Sequence, residues 1–280
     1  MPACLTVSVV LYRHRVEEVR DLFERLAVDP VLATWAVVDN GGAEEACALA
    51  ASLGGLCLRP GRNLGFGAAH NLALSALAAA GAPYHVILNP DICLESDTFA
   101  GLAAVMDAKP EVGLLMPRIL YPDGSNQFLC KLLPAPLDLV LRRFAPPIVK
   151  HFARNRIATF DLRNFDYESP VFVPSLSGCF MFTRRAVLDA VKGFDERFFL
   201  YMEDVDLCRR MAAKAELLYW PEVTVRHEHQ MESYKSFRVL LLHLRSAIAY
   251  FNKWGWFFDS AREEANRAAI AHLRAKGYKI

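Results

Sequence analysis

The chain has 280 residues, a length at which a single hydrophobic core is still the usual arrangement. Hydrophobic residues account for 54% and charged residues for 22% of the chain, which excludes intrinsic disorder as its main state. Lys and Arg total 32 against 31 Asp and Glu, so no global field attracts nucleic acid, and a partner bound through charge must meet a local patch.

The seven cysteines are scattered along the chain, and none of them has CxxC spacing. This pattern predicts neither a zinc knuckle nor a disulfide framework, and it favours the reducing cytosol. The N-terminus has no basic segment before its apolar run, and no stretch reaches the roughly 18 apolar residues that span a bilayer. We therefore expect a cytoplasmic protein that is soluble or lies peripherally on the inner face of the cytoplasmic membrane.

The N-terminal part alternates apolar, β-branched runs with amphipathic stretches. The runs predict strands at Leu5–Tyr12, Trp35–Asp39, Leu56–Leu58 and Tyr84–Leu88. Helical patterns lie between these strands, including an alanine-rich helix over Ala68–Ala80. The order β-α-β-α-β-α-β predicts an α/β fold, in which ligands bind beyond the carboxyl ends of parallel strands.

The segment 131–163 has a different character, with four prolines, seven basic residues and two acidic ones. We interpret it as a solvated insertion or lid, and the alternative is a surface that meets anionic lipid or a diphosphate. The later strands are predicted at Val112–Met116, Val171–Val173, Gly178–Thr183 and Leu217–Trp220. Helices are predicted to begin at Ala186 and Asp204.

The stretch from Lys235 to Lys253 carries four basic residues, no acidic ones and an apolar helical stripe. The stripe consists of Phe237, Leu240, Leu241, Leu244, Ile248 and Phe251. For this stripe we favour packing on the domain over contact with a membrane.

Asp39 stands where the second strand ends, in the sequence VVDNGG. A carboxylate at this place can accept hydrogen bonds from a nucleobase or a ribose. Asp-Asn-Gly-Gly is also ordinary turn chemistry, so the motif alone leaves both readings open.

The next loop, RPGRNLGFGAAHN, places Arg62, Asn63, Gly65 and Gly67 directly before a helix. Free backbone N–H groups and the positive end of a helix favour a phosphate, so this loop can cradle a nucleotide diphosphate. The loop matches neither the dinucleotide fingerprint nor the P-loop, and a plain glycine-rich helix start is the alternative.

Strand four ends in VILNPDICL, where Asn89 and Asp91 flank a proline. Asp91 is a candidate ligand for Mg²⁺ or Mn²⁺, because these ions often bind one or two carboxylates together with substrate phosphates. His227 and His229 lie two residues apart after a strand-like run and can complete a metal site begun by Asp91. The alternatives are a turn that merely ends a strand and a surface histidine pair.

The segment GFDERFFLYMEDVDLCRR sets five carboxylates among aromatic residues. Carboxylates that lose solvent have raised pKa values, which makes them better general bases. Asp204 and Glu203 are therefore candidate catalytic residues, and the alternative is that Asp204 caps the helix that follows.

Taken together, these motifs describe transfer from a nucleotide diphosphate to a hydroxyl group. The sequence resembles the glycosyltransferase family 2 enzymes of the GT-A fold, and most closely their rhamnosyltransferase-type branch. The resemblance extends from Leu5 to His229, and its motifs occur in the order VVDN, NLGFGAAHN, LNPD, SGCFMFTRRAV, GFDERFFLYMEDVDLCRR and the late His.

The resemblance implies a role for each matching residue. Asp204 is implied as the general base with Glu203 beside it, and Asp91 and His227 as ligands of Mn²⁺ or Mg²⁺. The residues implied to bind the nucleotide sugar are Asp39, Asn63, Gly65, Asn71, Asn89 and Asp91, where Asn89 replaces the first Asp of a DxD motif.

The resemblance also implies the architecture, a Rossmann-like, mostly parallel sheet with flanking helices. We assign residues 1–230 to this catalytic domain and residues 231–280 to a C-terminal helical extension packed on it. The implied reaction is inverting transfer of a deoxyhexose, L-rhamnose from dTDP-L-rhamnose, to a surface polysaccharide or a polyprenyl-diphosphate-linked glycan. The alternatives are a UDP- or GDP-sugar donor and a non-catalytic module that binds sugar nucleotides or glycans.

Overall fold

A computed structural model of the chain describes residues 3–228 and 237–280. The strands are β1 (Leu5–Leu11), β2 (Leu32–Asp39), β3 (Leu56–Leu58), β4 (Tyr84–Leu88), β5 (Ile92–Cys93), β6 (Val112–Leu120), β7 (Val171–Phe172), β8 (Phe180–Arg184) and β9 (Glu216–His227). The helices are α1 (Val16–Ala27), α2 (Glu44–Ser52), α3 (Phe66–Ala76), α4 (Thr98–Ala108), α5 (Pro136–Phe144), α6 (Pro147–Phe152), α7 (Arg154–Phe160), α8 (Arg185–Ala190), α9 (Glu203–Ala212), α10 (Phe237–Trp254) and α11 (Ser260–Ala275).

Within the described residues the strands form one nine-stranded sheet in the order β3-β2-β1-β4-β8-β6-β9-β5, with β7 also paired to β9. The first four strands of this order are parallel. Strands β1 and β4 are almost wholly buried runs of apolar residues, which is typical of a sheet covered by helices on both faces. The alternating order predicted for the N-terminal part is therefore confirmed.

The second half of the sheet is mixed. Strand β8 is antiparallel to both β4 and β6, whereas β9 is parallel to β6. Strand β9 runs to His227, seven residues beyond the predicted end at Trp220, and its pairing with β6 shifts register between Pro117 and Arg118. Pro221 follows Trp220 directly, and a proline usually interrupts a strand. The sequence pattern therefore indicates a strand end at Trp220, although the strand continues through the proline. The longer strand carries His227 to β5.

The segment 131–163 folds into α5, α6 and α7 rather than into an extended loop. Phe160 and Leu162 anchor it in the core, and the N–H of Leu132 donates to the carbonyl of Phe160 at 3.1 Å. Its outer surface keeps large apolar side chains exposed, namely Leu137, Val140, Phe144, Ile148, Val149 and Phe152.

Helix α10 packs on the domain through Ser246, Tyr250 and Phe251, which are buried. The expectation that its apolar stripe packs on the domain is wrong for most of the stripe, because Phe237, Leu241, Leu244 and Ile248 are exposed. The spacing of apolar residues in α10 correctly indicates an apolar face. The helix nevertheless docks through a neighbouring face, which carries Ser246, Tyr250 and the ion pair of Lys253 with Asp206. The boundary predicted at residue 230 lies outside the described residues.

Cys47 and Cys57 form a disulfide between α2 and β3, with their Cα atoms 5.3 Å apart. The expectation of no disulfide is therefore wrong for this pair. The two residues are ten positions apart, and only the packing of α2 beside β3 brings them together. No helix in the described part of the chain is long and apolar enough to cross a membrane.

Candidate active site

Asp91 and His227 meet at the edge of the sheet. Asp91 directly precedes β5, and β5 pairs with β9 so that Ile92 is opposite His227. The backbone N–H of Glu228 donates to the carbonyl of Asp91 at 3.0 Å, which fixes this end of β9. Nε2 of His227 consequently lies 3.1 Å from Oδ1 of Asp91. His229, the other histidine of the motif, lies outside the described residues.

Gln127 holds His227 from two sides, although no sequence motif pointed to it. Its Oε1 lies 2.9 Å from Nδ1 of the imidazole, and its Nε2 donates to the backbone carbonyl of His227 at 2.8 Å. Gln127 is buried, so these contacts exclude water. A hydrogen bond from Nδ1–H to this amide oxygen orients the ring so that Nε2 points to Asp91.

The electrostatics of the pair are strongly coupled. Burial disfavours the charged imidazole, but the neighbouring Asp91 and Cys179 outweigh burial and raise the pKa of His227 to about 10. Burial likewise raises the pKa of Asp91, whereas His227 lowers it, and the net shift is downward. His14, directly after β1, also lowers the pKa of Asp91 and is a second residue at this edge that the motifs did not mark.

The Asp91–His227 pair fits a divalent cation. A carboxylate oxygen and an imidazole nitrogen converge, and the second imidazole nitrogen is held by an amide, which is the usual outer shell of a metal-binding histidine. Among the residues that the structure describes, no group of three or more His, Cys, Asp or Glu can hold an ion. The chain therefore offers two ligands, and substrate phosphates and water would supply the others, as is common for Mg²⁺.

Asp39 lies at the end of β2, along the same edge of the sheet. Its Oδ1 accepts hydrogen bonds from the backbone N–H groups of Gly41 and Ala43, each at 3.0 Å. This carboxylate therefore shapes the turn into α2. Its assignment to the nucleobase stays a prediction.

Asn40 joins this turn to the glycine-rich loop. Its Nδ2 donates to Oδ1 of Asn63 at 2.9 Å and to the carbonyl of Gly65 at 3.0 Å. Its Oδ1 accepts from the N–H of Leu64 at 2.7 Å. The two loops thus form one hydrogen-bonded unit, and neither loop motif revealed this contact in advance.

The start of α3 is closed by another segment of the chain. The N–H of Phe66 donates to the carbonyl of Phe199 at 2.9 Å, so this donor at the helix start already has a partner within the protein. Gly65 has φ +86°, and a Cβ atom there would overlap the carbonyl oxygen of Phe199. The binding of a nucleotide sugar by Asn63 and Gly65 stays a prediction.

Asn71 ties α3 to the acidic segment. Its Nδ2 donates to the carbonyl of Phe194 and its Oδ1 accepts from the N–H of Phe194, both at 2.9 Å. These contacts position the loop that leads to α9. The assignment of Asn71 to the nucleotide-sugar pocket also stays a prediction.

Helix α9 begins at Glu203, after Tyr201 and Met202 with φ +68° each. Glu203 is buried, and burial together with the neighbouring Asp204 raises its pKa well above the usual value for a glutamic acid. Asp204 is half-buried, and its Oδ2 accepts from the N–H of Gly178 at 3.1 Å. Met202 occupies the capping position, so the alternative that Asp204 caps the helix is wrong.

The backbone segment Gly178–Cys179 connects Asp204 to the Asp91–His227 pair. Gly178 contacts Asp204, and the next residue, Cys179, accepts a hydrogen bond from the N–H of Asn89 at 2.9 Å. Cys179 also raises the pKa of His227, so it lies beside that imidazole. Contacts through Gly178 and Cys179 thus link Asp204 to Asn89 and to the Asp91–His227 pair, and the roles predicted for these residues stay predictions.

Asp206, one turn into α9, is fully buried and serves the fold. Its carboxylate accepts from Arg210 at 2.7 Å, from Lys253 at 2.6 Å and from the indole N–H of Trp254 at 2.8 Å. Lys253 also contacts Asp195 at 2.7 Å. Helix α10 is thereby fixed to the helix that carries Asp204.

Comparisons with known proteins support this picture. A family model described as "Glycosyltransferase like family 2" matches residues 32–246. The N-acetylglucosaminyl-diphospho-decaprenol L-rhamnosyltransferase of Mycobacterium tuberculosis is 32% identical over 185 residues, which cover 61% of this chain and 57% of the relative. The rhamnosyltransferase WbbL of Escherichia coli K12 is 26% identical over 257 residues, which cover 87% of this chain and 92% of the relative.

Solved structures share the fold at low sequence identity. GalNAc-T7, solved with UDP, GalNAc and Mn²⁺, superposes with a TM-score of 0.62 at 13% identity over 90% of this chain and 48% of its own. The mannosyltransferase PcManGT from Pyrobaculum calidifontis, solved with GDP-Man and Mn²⁺, has a TM-score of 0.54 at 17% identity over 98% of this chain and 76% of its own. The predicted α/β fold of GT-A type is confirmed.

Proposed function

Because this chain belongs to glycosyltransferase family 2 and to its rhamnosyltransferase-like branch, we propose that it transfers a sugar from a nucleotide diphosphate to a hydroxyl group. The observation that carries the proposal is the half-buried Asp204 beside the Asp91–His227 pair. This arrangement supports a reaction in which Asp204 acts as the general base next to a site for a cation and a diphosphate. The donor we propose is dTDP-L-rhamnose, by analogy with the relatives named rhamnosyltransferases.

The mechanism we propose is a single inverting displacement. Asp204 removes the proton of the acceptor hydroxyl, and that oxygen attacks the anomeric carbon of the donor. The N–H of Gly178 holds the Asp204 carboxylate in one orientation, and Glu203 remains behind it, out of contact with solvent. Asp91 and His227 would hold Mn²⁺ or Mg²⁺, which would neutralise charge on the departing diphosphate.

The acceptor we propose is a glycan linked to a polyprenyl diphosphate. The Mycobacterium tuberculosis relative is named for N-acetylglucosaminyl-diphospho-decaprenol, and the matched region spans 57% of that protein. A lipid-linked acceptor is held at a membrane surface, so the enzyme must reach that surface to act.

Helices α5 and α6 supply a surface of the required chemistry, and we propose that they rest on the inner face of the cytoplasmic membrane. Phe152 is 83% exposed and Ile148 is 68% exposed, although both are large apolar residues. Lys150 lies between them in sequence, and the whole segment 131–163 is strongly basic. Exposed apolar side chains among basic ones bind anionic lipid surfaces. Sedimentation with anionic vesicles but not with neutral ones is the expected result.

A panel of dTDP-, UDP- and GDP-sugars tests the activity. Each donor is incubated with a GlcNAc-diphosphate-alkyl acceptor and either Mn²⁺ or Mg²⁺, and the released nucleotide is measured. We expect turnover with dTDP-L-rhamnose and an inverted anomeric centre in the product. Turnover with a UDP- or GDP-sugar instead would reassign the donor. Donor binding by the wild-type protein without any turnover would identify a non-catalytic binding module.

A further inference from the structure

Lys131 is a cation near the candidate base whose role the proposed reaction leaves unexplained. Its backbone N–H donates to the carbonyl of Ser175 at 3.0 Å, only three residues before Gly178, which contacts Asp204. The lysine is half-buried, and no residue in the described part of the chain forms an ion pair with its Nζ within 4.0 Å. A partly buried cation without an ion-pair partner among the described residues is suited to bind an anionic group.

Basic side chains from two other elements lie near Lys131. Arg142, at the end of α5, lies 3.7 Å from Asp161, which is buried. His243 of α10 stacks on Tyr201, the residue that leads into α9, with ring centroids 4.7 Å apart. His243 thus lies at the entrance to α9, and Arg142 and Lys131 lie near enough to act on its pKa.

The pKa shifts support this proximity. Burial and the positive charge of Arg142 lower the pKa of Lys131 to about 8, whereas Asp161 and Asp204 act in the opposite direction. Burial and the charges of Arg143, Arg142 and Lys131 lower the pKa of His243 to about 4, so its imidazole is neutral. Arg142 thus influences both Lys131 and His243, and Lys131 influences His243.

We propose that Lys131, Arg142 and His243 form a subsite for the diphosphate of the acceptor, beside the hydroxyl that Asp204 deprotonates. Lysine and arginine supply charge-assisted hydrogen bonds to phosphate oxygens, and a neutral imidazole supplies one further N–H donor. The subsite is distinct from the Asp91–His227 pair, where the diphosphate of the donor would bind. This inference rests on the proposed function, because it assigns a group of the acceptor of that reaction.

The position of the subsite agrees with a lipid-linked acceptor. Arg142 belongs to α5, whose outer surface exposes Leu137 and Val140. A diphosphate bound at Lys131 therefore lies between the sugar at Asp204 and a prenyl chain that follows the apolar surface.

The test compares two soluble acceptors in the absence of a bilayer. One is GlcNAc linked through a diphosphate to a short alkyl chain, and the other is the neutral alkyl glycoside of GlcNAc. Binding is measured by calorimetry with saturating dTDP, and transfer is measured separately with the complete donor. The variants are Lys131→Met, which keeps the aliphatic stem, and Lys131→Arg, which keeps the charge. The control is Lys214→Met, an exposed lysine after the far end of α9.

We expect Lys131→Met to weaken binding of the diphosphate-linked acceptor about 10- to 100-fold, the loss of one charge-assisted hydrogen bond. Binding of the neutral glycoside is expected to stay unchanged, and Lys131→Arg and Lys214→Met are expected to bind both acceptors like the wild type. Equal binding of the diphosphate-linked acceptor by Lys131→Met and the wild type would overturn the subsite. An equal loss for both acceptors would also overturn it, because the lysine would then act only through the fold.

Calorimetry separates this inference from the proposed function. A wild-type protein that binds the diphosphate-linked acceptor through Lys131 but transfers no sugar would sustain the subsite and remove the activity. Binding of the diphosphate-linked acceptor in the absence of dTDP but not at saturating dTDP would assign the basic cluster to the donor diphosphate instead and overturn the inference. Thermal unfolding of each variant shows whether it is folded.

Discussion

The sheet edge with Asp39, Asp91 and His227 and the outer surface of α5 and α6 use their side chains in contrasting ways. At the sheet edge each side chain is held by a neighbour, as Gln127 holds His227. On α5 and α6 large apolar side chains are exposed to solvent, and the ring of Phe152 is the most exposed of them. Fixed side chains at the sheet edge suit a small ligand of defined shape. Exposed side chains on α5 and α6 suit contact with an extended surface whose details vary.

This contrast indicates how each region is expected to respond to substitution. Removing a preorganised group at the sheet edge changes the chemistry of the site, because its neighbours were arranged around that group. Removing one exposed side chain from α5 or α6 changes only a share of a distributed interaction. Substitutions in the two regions therefore test this distinction.

The largest expected effect is that of Asp204→Asn. The amide oxygen can still accept from Gly178, but the side chain can no longer take a proton, so kcat is expected to fall about 10²- to 10⁴-fold. The KM for the donor is expected to stay within about twofold of the wild type, since the change removes no donor contact. Steady-state kinetics measure both values.

Asp189→Asn is the control for Asp204→Asn. The side chain of Asp189 is 57% exposed and pairs with Arg185 on the surface. We expect kinetics like those of the wild type for this variant. A loss of less than about fivefold in kcat for Asp204→Asn would remove Asp204 as the general base.

Gly65→Ala tests the preorganised region through its backbone. The added Cβ meets the carbonyl of Phe199, and the φ of +86° is unfavourable for alanine. The expected destabilisation is about 1–2 kcal/mol from the backbone conformation and about 1–3 kcal/mol from the overlap. Denaturant unfolding measures the change in the free energy of unfolding.

Gly61→Ala is the matched control for Gly65→Ala. Gly61 has φ +75°, but nothing lies within 4 Å of a Cβ atom at this position. We expect only the backbone contribution of about 1–2 kcal/mol. Equal destabilisation by the two variants would show that the contact between α3 and the loop at Phe199 is not tight.

The sequence predicted the parts of the site that follow strand ends. Asp39 and Asp91 stand directly after buried apolar runs, so their place at one edge followed from the alternating order. Asp204 was proposed from the density of carboxylates among aromatic residues, and its catalytic role stays a prediction. Each of these signals comes from neighbouring residues in the sequence, so it can be recognised without knowledge of the tertiary fold.

The remaining parts depend on contacts between distant segments. Gln127 lies in an irregular stretch, and its role exists only because β9 continues past Pro221 to place His227 beside it. The disulfide between Cys47 and Cys57 likewise depends on how α2 packs beside β3. Periodicity could not identify the face of α10 that is buried, since Asp206 and Lys253 fix that helix by polar contacts.

Gln127→Leu tests the support of the candidate metal ligand. Without the amide oxygen at Nδ1, the imidazole loses its orientation, and the concentration of Mn²⁺ for half-maximal activity is expected to rise about 10- to 100-fold. Titration of activity with Mn²⁺ measures the shift. Gln127→Glu keeps an oxygen at Nδ1 and is expected to have the smaller effect. Wild-type Mn²⁺ dependence in Gln127→Leu would show that His227 needs no support from Gln127.

The smallest expected effect is that of Lys150→Gln on the surface of α6. One basic residue near an anionic membrane contributes about 1 kcal/mol, so we expect about fivefold weaker binding to anionic vesicles and an unchanged kcat with a soluble acceptor. Vesicle sedimentation over a series of lipid concentrations measures the affinity, and Lys214→Gln at the exposed turn after α9 is the matched control. Phe152→Ser is expected to weaken binding as well, because its ring is exposed for insertion. If both α6 variants bound vesicles like the control, this surface would meet water rather than lipid, and the contrast between the two regions would concern packing alone.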